Sequence, residues 1–339
     1  MIPGPYLLYL GAATDVLAVK TARGIAVWRP GAAIGEMAEP ECTVSVGLPR
    51  MTIAQGVAAG AKTLVLGFAN AGGTIDETTS GVVLEAIAAG LNVASGLHMR
   101  LSGAPGVAAA AERAGVALVD VRTPPALPVG TGKRRTGRRL LTVGTDCSVG
   151  KMYTTLALER ELRARGVAAD FRATGQTGIM IAGSGVPIDA VVSDFLSGAA
   201  EWVSPDRSDD GWDLIEGQGS LFHPSFAGVS LGLLHGSQPD ALVLCHEAGR
   251  ETIRHTRDYK VPDLALCLER NLEAGRLTSP DVKAVGVAIN TSGLQSDEAH
   301  AHCLAIEDRL GLPCQDPVTM GTNRIVDKLL ACFAPSVPA

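Results

Sequence analysis

No apolar run in this chain approaches the roughly 18 residues that a membrane helix needs. The Met1 end has no basic segment followed by an apolar stretch and a cleavage site, so no secretory leader is expected. Excess positive charge is also missing. The 29 Lys and Arg are outnumbered by 35 Asp and Glu, giving a formal charge of −6, which argues against a nucleic-acid surface. The 7 cysteines form no CxxC pair and no zinc spacing, and an odd, scattered set suits reduced thiols in the cytosol. Aromatic residues reach only 4%. GxGxxG is absent as well: GAATD at Gly11–Asp15 and NAGG at Asn70–Gly73 do not supply it, which disfavours a nicotinamide dinucleotide. A soluble cytoplasmic protein is expected.

At 339 residues the chain exceeds the usual single-core limit of about 250–300 residues, so two domains are the default. Glycine (40 residues) and 46% hydrophobic content fit many tight turns around ample cores. Short apolar runs at Tyr6–Leu10, Thr43–Val46, Lys62–Phe68, Leu91–Ala94 and Val116–Val121 alternate with Ala-rich segments such as Thr52–Gly60 and Ser80–Gly90. That alternation predicts a parallel sheet covered by helices. The stretch TPPALPVGTGKRRTGRR, Thr123–Arg139, interrupts it with prolines, glycines and five basic residues. The expected division is therefore residues 1–125, a basic linker at 126–139, and a second domain at 140–339. In the second, strands are predicted at Leu140–Val143, Ala169–Ala173, Asp213–Ile215, Ala241–Cys245 and Val285–Ile289. Helices are predicted at Tyr153–Arg165, Ile188–Ala200 and Ser296–Leu310. The expected class is α/β: an N-terminal Rossmann-like parallel-sheet domain plus a C-terminal P-loop NTPase-like α/β domain.

The run from Leu140 to Gly166 has the grammar of a phosphate loop: strand, glycine turn, lysine, helix. Its residues Gly144, Thr145, Asp146, Cys147, Ser148, Val149, Gly150, Lys151, Met152 and Tyr153 are the candidate cofactor-binding set. Backbone N–H groups of such a turn point at an anion, and Lys151 adds a point charge. The position after the lysine, where a magnesium-binding hydroxyl is expected, holds Met152. Thr154 or Thr155 can replace it, with Glu216 as a second ligand if magnesium is bound. Without such a hydroxyl the balance shifts from phosphoryl transfer towards anion binding.

GTDCSVGKM resembles the phosphate loop of the dethiobiotin-synthetase type, and WDLIEGQGSLFHP (Trp212–Pro224) resembles that superfamily's strand ending in Glu-Gly-x-Gly. By the same resemblance Asn290, at the end of VGVAIN, is a candidate base reader. More of the chain is similar to a family long catalogued as a domain of unknown function, which includes bacterial D-glutamate N-acetyltransferases. GFANAGGTI (Gly67–Ile75), ASGLHMRLSG (Ala94–Gly103), VDVRTPP (Val119–Pro125), FRATGQTGIMIAG (Phe171–Gly183), the run Val186–Trp202 and LCHEAGR (Leu244–Arg250) carry that likeness.

The resemblance implies acetyl-CoA as donor and an amino acid, D-glutamate, as acceptor; the charge and the short apolar runs predict no nucleic-acid or membrane partner, and a homo-oligomer is expected. Coenzyme A carries a pyrophosphate and a 3′-phosphate, so a phosphate loop can hold it without hydrolysis. Amine acetylation needs a proton acceptor, carbonyl polarisation and a stabilised thiolate. Glu216 and His223, on one Gly-rich loop, are the candidate catalytic pair, with backbone N–H groups of Gly217–Ser220 as oxyanion donors. Two acceptor carboxylates call for arginines. Arg172, then Arg250, then Arg100 are the candidates, with Gln176 and Thr177 as further substrate contacts. His98 and His246 are weaker. Cys147 is a conceivable acetyl carrier, and Arg138 or Arg139 a contact for the 3′-phosphate. The alternatives are an ATP-dependent ligase or kinase on a small carboxylate or amine, and a non-catalytic nucleotide-sensing module.

Overall fold

The computed structural model describes every residue except 17, 255, 257 and 335–339. The last five, which the sequence reading included in the second domain, lie outside the described residues. Contacts divide the chain into one unit of residues 1–125 and 175–190, and another of 126–174 and 191–339.

The first unit runs β1 (Tyr6–Tyr9), α1 (Lys20–Trp28), β2 (Ala33–Met37), α2 (Ile53–Ala58), β3 (Thr63–Leu66), α3 (Glu77–Ala88), β4 (Asn92–Ser95), α4 (Val107–Ala114) and β5 (Leu118–Asp120). The strands form one parallel sheet in the order β2-β1-β3-β4-β5. β1 and β3 are buried throughout, as expected of parallel strands covered on both faces. Leu7, Tyr9, Leu64, Leu66 and Val93 form its core with Val83, Ile87 and Leu101. Each buried side chain of this size stabilises by about 1.5–3 kcal/mol. Helix starts follow local chemistry: Asp76 accepts from Thr79 N at 2.8 Å, and Thr52 forms a capping box with Gln55.

One predicted strand is corrected. Thr43–Val46 is irregular, and the edge position beside β1 belongs to Ala33–Met37. Fully buried Glu36 on β2 accepts from Val46 N at 2.7 Å and pairs with Arg50, so the 43–46 segment is held as a loop over that carboxylate.

The second unit runs β6 (Arg138–Gly144), α5 (Lys151–Ala164) and β7 (Ala169–Arg172). The chain then supplies α6 (Gln176–Ala182) to the first unit. There α6 packs on α1, where Gly24 is required: a Cβ would lie 2.7 Å from Ile181 Cδ1. Back in the second unit follow α7 (Leu196–Val203), β8 (Trp212–Ile215), α8 (Ala227–Ser237), β9 (Ala241–Glu247), α9 (Leu264–Arg276), β10 (Lys283–Asn290), α10 (Ser296–Leu310), β11 (Cys314–Gln315) and α11 (Asn323–Cys332). The predicted helix at Ile188–Ala200 is instead two short 3-10 turns and then α7, because the chain changes units between Ala190 and Val191.

The second sheet is parallel, in the order β11-β10-β9-β6-β8-β7. From β6 the chain goes first to one side (β7, β8) and then to the other (β9). The switch point therefore falls between β6 and β9, where ligands of such sheets bind at the carboxyl ends of the strands.

The basic stretch before β6 is solvated only in part: Lys133 and Arg134 are exposed, whereas Arg135 and Arg139 are buried. Arg135 donates to the carbonyls of Ser204 (2.6 Å), Gly236 (2.6 Å) and Ser237 (2.9 Å), and burial lowers its pKa to about 10. Arg139, 1% exposed, donates to Ser204 Oγ (3.0 Å) and the Thr136 carbonyl (3.0 Å). Arg138 donates to the Phe333 carbonyl and lies over the Trp212 and Phe333 rings. Arg138 and Arg139 sit at the amino end of β6, opposite the phosphate loop. A contact from either to a 3′-phosphate held near that loop is thereby excluded.

Candidate active site

The loop from Gly144 to Gly150 leaves β6 at the switch point and delivers the chain into α5. Two residues take left-handed backbone conformations, Ser148 (φ +55°) and Gly150 (φ +99°), and they fold the loop back over the helix N-terminus. Thr145 N donates to the Cys245 carbonyl at 3.1 Å, tying the loop to β9.

Lys151 is buried, its ammonium donating to the carbonyls of Asp146 (2.7 Å) and Gly219 (2.9 Å). Burial pushes its pKa below the usual lysine range. Asp146 is fully buried and accepts from Cys147 N (2.6 Å), Arg254 N (2.7 Å) and the Arg250 guanidinium (2.8 Å). Arg250 also donates to the Cys147 carbonyl at 2.7 Å and pairs with Glu247. This arginine braces the loop through both its terminal nitrogens.

The Gly-rich segment after β8 wraps the same loop. Gly217 N donates to Thr142 Oγ1 at 2.9 Å, and Ser220 Oγ donates to the Thr145 carbonyl at 3.1 Å. Glycine at 217 is obligatory, since a Cβ there would lie 1.7 Å from the Thr142 carbonyl oxygen. Its N–H, expected as an oxyanion donor, is already bonded. Glu216, 4% exposed, accepts from Thr174 N at 3.0 Å. His223 is brought to the loop: one ligand atom from each of Asp146, Cys147 and His223 lies within 4.8 Å of the others. Both its ring nitrogens have partners. Nδ1 accepts from Ser225 N at 3.1 Å, which leaves the proton on Nε2 to donate to the Arg254 carbonyl at 3.1 Å. Neither nitrogen then offers a free lone pair to a metal or a substrate proton.

Met152 has no hydroxyl; Thr154 Oγ1 donates to the Gly150 carbonyl at 3.0 Å, and Thr155 Oγ1 donates to the Lys151 carbonyl at 2.8 Å. Burial raises the Cys147 thiol pKa against the pull of Lys151, which works against a thiolate nucleophile.

Asn290 ends β10 beside the loop, its Cβ 3.9 Å from where a Cβ on Gly150 would be. His246, read from sequence as weak, is a close neighbour: its Nδ1 is 2.9 Å from Thr145 Oγ1, and burial lowers its pKa to about 4. Its signal was only its place at the end of an apolar strand. Arg172 is turned back along the sheet to fully buried Asp213, at 2.9 Å from Nε, where Arg207 also binds. Arg100, Gln176 and Thr177 belong to the first unit, with Arg100 exposed and Thr177 buried.

Comparison with known proteins agrees with both halves of the chain. The DUF1611 model, described as a P-loop domain of unknown function, matches residues 128–326, and its Rossmann-like N-terminal counterpart matches residues 34–124. A D-glutamate N-acetyltransferase from Tritonibacter scottomollicae is 51% identical over 98% of this chain and 100% of its own length. Another from a Pseudoalteromonas species is 48% identical over 97% and 99%. The crystal structure of a DUF1611 family protein from Anabaena variabilis superposes with a TM-score of 0.84 at 31% identity, covering 97% of this chain and 100% of that one.

Proposed function

The chain belongs to the DUF1611 family, and from that premise we propose that it is an N-acetyltransferase that moves the acetyl group of acetyl-CoA to the amino group of D-glutamate. The observation that carries this reading is the near-50% identity, over essentially full length, to two relatives that bear that name. The phosphate loop supports it: a buried lysine and a helix N-terminus suit a phosphorylated carrier, and the missing hydroxyl matters little when no phosphoryl group is transferred.

The reaction balances without a metal or redox partner. The amine loses a proton and attacks the thioester carbonyl, the C–S bond breaks, and the CoA thiolate leaves to be protonated. One thiol appears for each amide formed.

The length of the donor supports a division of roles. The pantetheine arm is about as long as four or five extended residues, roughly 15 Å. With the pyrophosphate on the loop and the arm extended, the reacting carbon lies that far from Lys151. Glu216 and His223, which wrap the loop, are therefore positioning residues on the phosphate side. Asn290 flanks the nucleotide end.

The test is to incubate the purified protein with D-glutamate and acetyl-CoA and follow thiol release. Release that depends on D-glutamate is expected. No release with D-glutamate or other amino acids, together with ADP formation from ATP, would replace this reading by an ATP-dependent ligase or kinase.

A further inference from the structure

We propose that the first unit carries the acceptor site: a cavity of about 180 Å³ at the carboxyl ends of β3 and β4, built to hold a small dicarboxylate. The identity of the acceptor as D-glutamate rests on the function proposed above; the cavity and its chemistry do not.

Size comes first. Pockets for drug-sized ligands occupy roughly 300–1,000 Å³, so this one is too small to bury a nucleotide or coenzyme A and suits an amino acid. Charge comes second. Lys20 and Arg122 line it together with the His98 imidazole, and among the described residues that line it none is acidic. In a chain of net charge −6 such a lining is selective for anions.

The groups are also positioned. Arg122 Nε donates to the Gly96 carbonyl at 3.0 Å and a terminal nitrogen to Asp189 at 3.3 Å. Those bonds fix the plane of the guanidinium at the cavity wall, and its five N–H donors exceed what they use. Asp189 is 45% exposed at its side chain, so it offsets the arginine's charge only in part. On the floor, Thr21 Oγ1 lies 3.3 Å from Thr177 Oγ1, both residues being buried. Only one proton fits between the two oxygens, which leaves the other free to turn towards a ligand. Gln176 completes the wall with an amide.

The cavity thus offers a lysine and an oriented arginine for two carboxylates, with hydroxyl and amide groups to fix the rest. Strand carboxyl ends are where parallel sheets place their ligands. Sequence singled out Gln176 and Thr177, but not Lys20 or Arg122.

The experiment compares Lys20→Met and Arg122→Gln with the unmodified protein in steady-state kinetics, with thermal melts to confirm folding. Each variant is expected to raise KM for D-glutamate by about 10- to 100-fold, the loss of one charge-assisted bond, while KM for acetyl-CoA stays unchanged. One of the two, the variant that loses the side-chain carboxylate contact, should also lose its preference for D-glutamate over D-glutamine. Unchanged KM for D-glutamate in both folded variants would overturn the assignment. If the unmodified protein releases no thiol with D-glutamate, the proposed activity fails by itself. Calorimetric titration with D-glutamate then judges the cavity: binding lost in both variants upholds it, and no binding to the unmodified protein overturns it.

Discussion

Lys151→Met separates the phosphate grip from everything else that holds the donor. Methionine nearly matches the lysine stem in volume, so the packing of a residue only 6% exposed is largely kept while the charge is removed. A hydrogen bond to a charged group contributes about 1.5–3 kcal/mol, which converts to a loss of roughly 10- to 150-fold in affinity for coenzyme A. The same change strips donors from the Asp146 and Gly219 carbonyls, costing about 1–3 kcal/mol of stability for each that stays unsatisfied. A lower melting temperature is therefore expected alongside weaker binding. Calorimetry with coenzyme A and with pantetheine distinguishes the two effects, since pantetheine has the arm but no phosphate. Coenzyme A should lose affinity and pantetheine should not. Equal losses for both, or none for coenzyme A in a folded variant, would refute the loop as the phosphate site.

Glu216→Gln should alter KM for acetyl-CoA but leave the pH dependence of kcat in place; disappearance of the acidic limb would make Glu216 the base after all. Arg250→Ala leaves fully buried Asp146 without its cation, and breaking such a pair costs about 3–5 kcal/mol, read as a reduced urea midpoint, with Arg250→Lys recovering part. His246 is held neutral by burial, with a pKa of about 4 against an ordinary 6.5, so the unfolded chain takes the proton first. Its contribution is full above pH 6.5 and is lost as pH falls towards 4, by at most about 3 kcal/mol and less because the ring is partly exposed. His246→Asn should flatten the fall in melting temperature across that window; a slope equal to that of the unmodified protein would contradict this.

Both sheets and the phosphate loop were legible because they are local. A strand, a glycine turn and a lysine before a helix lie within Arg138–Ala164, and continuous apolar runs mark strands covered on both faces. What escaped depends on partners far along the chain. Arg135 and Arg139 look like surface charge until the carbonyls of Ser204 and Gly236 and the Ser204 hydroxyl are in place around them. Arg172 looks free at a strand end, yet buried Asp213 claims it. The transfer of α6 to the first unit depends on the Gly24–Ile181 approach, which no periodicity reports. Ala33–Met37 does not read as a strand from its sequence because Gly35 and Glu36 interrupt its apolar pattern, although Glu36 is fully buried.

The most direct test follows the nitrogen. D-Glutamate labelled at its amine, incubated with acetyl-CoA and the protein, should give the resonance of an amide nitrogen in step with released thiol, one to one. Thiol release without that amide, or an amide formed only when ATP is supplied and consumed, would contradict the account.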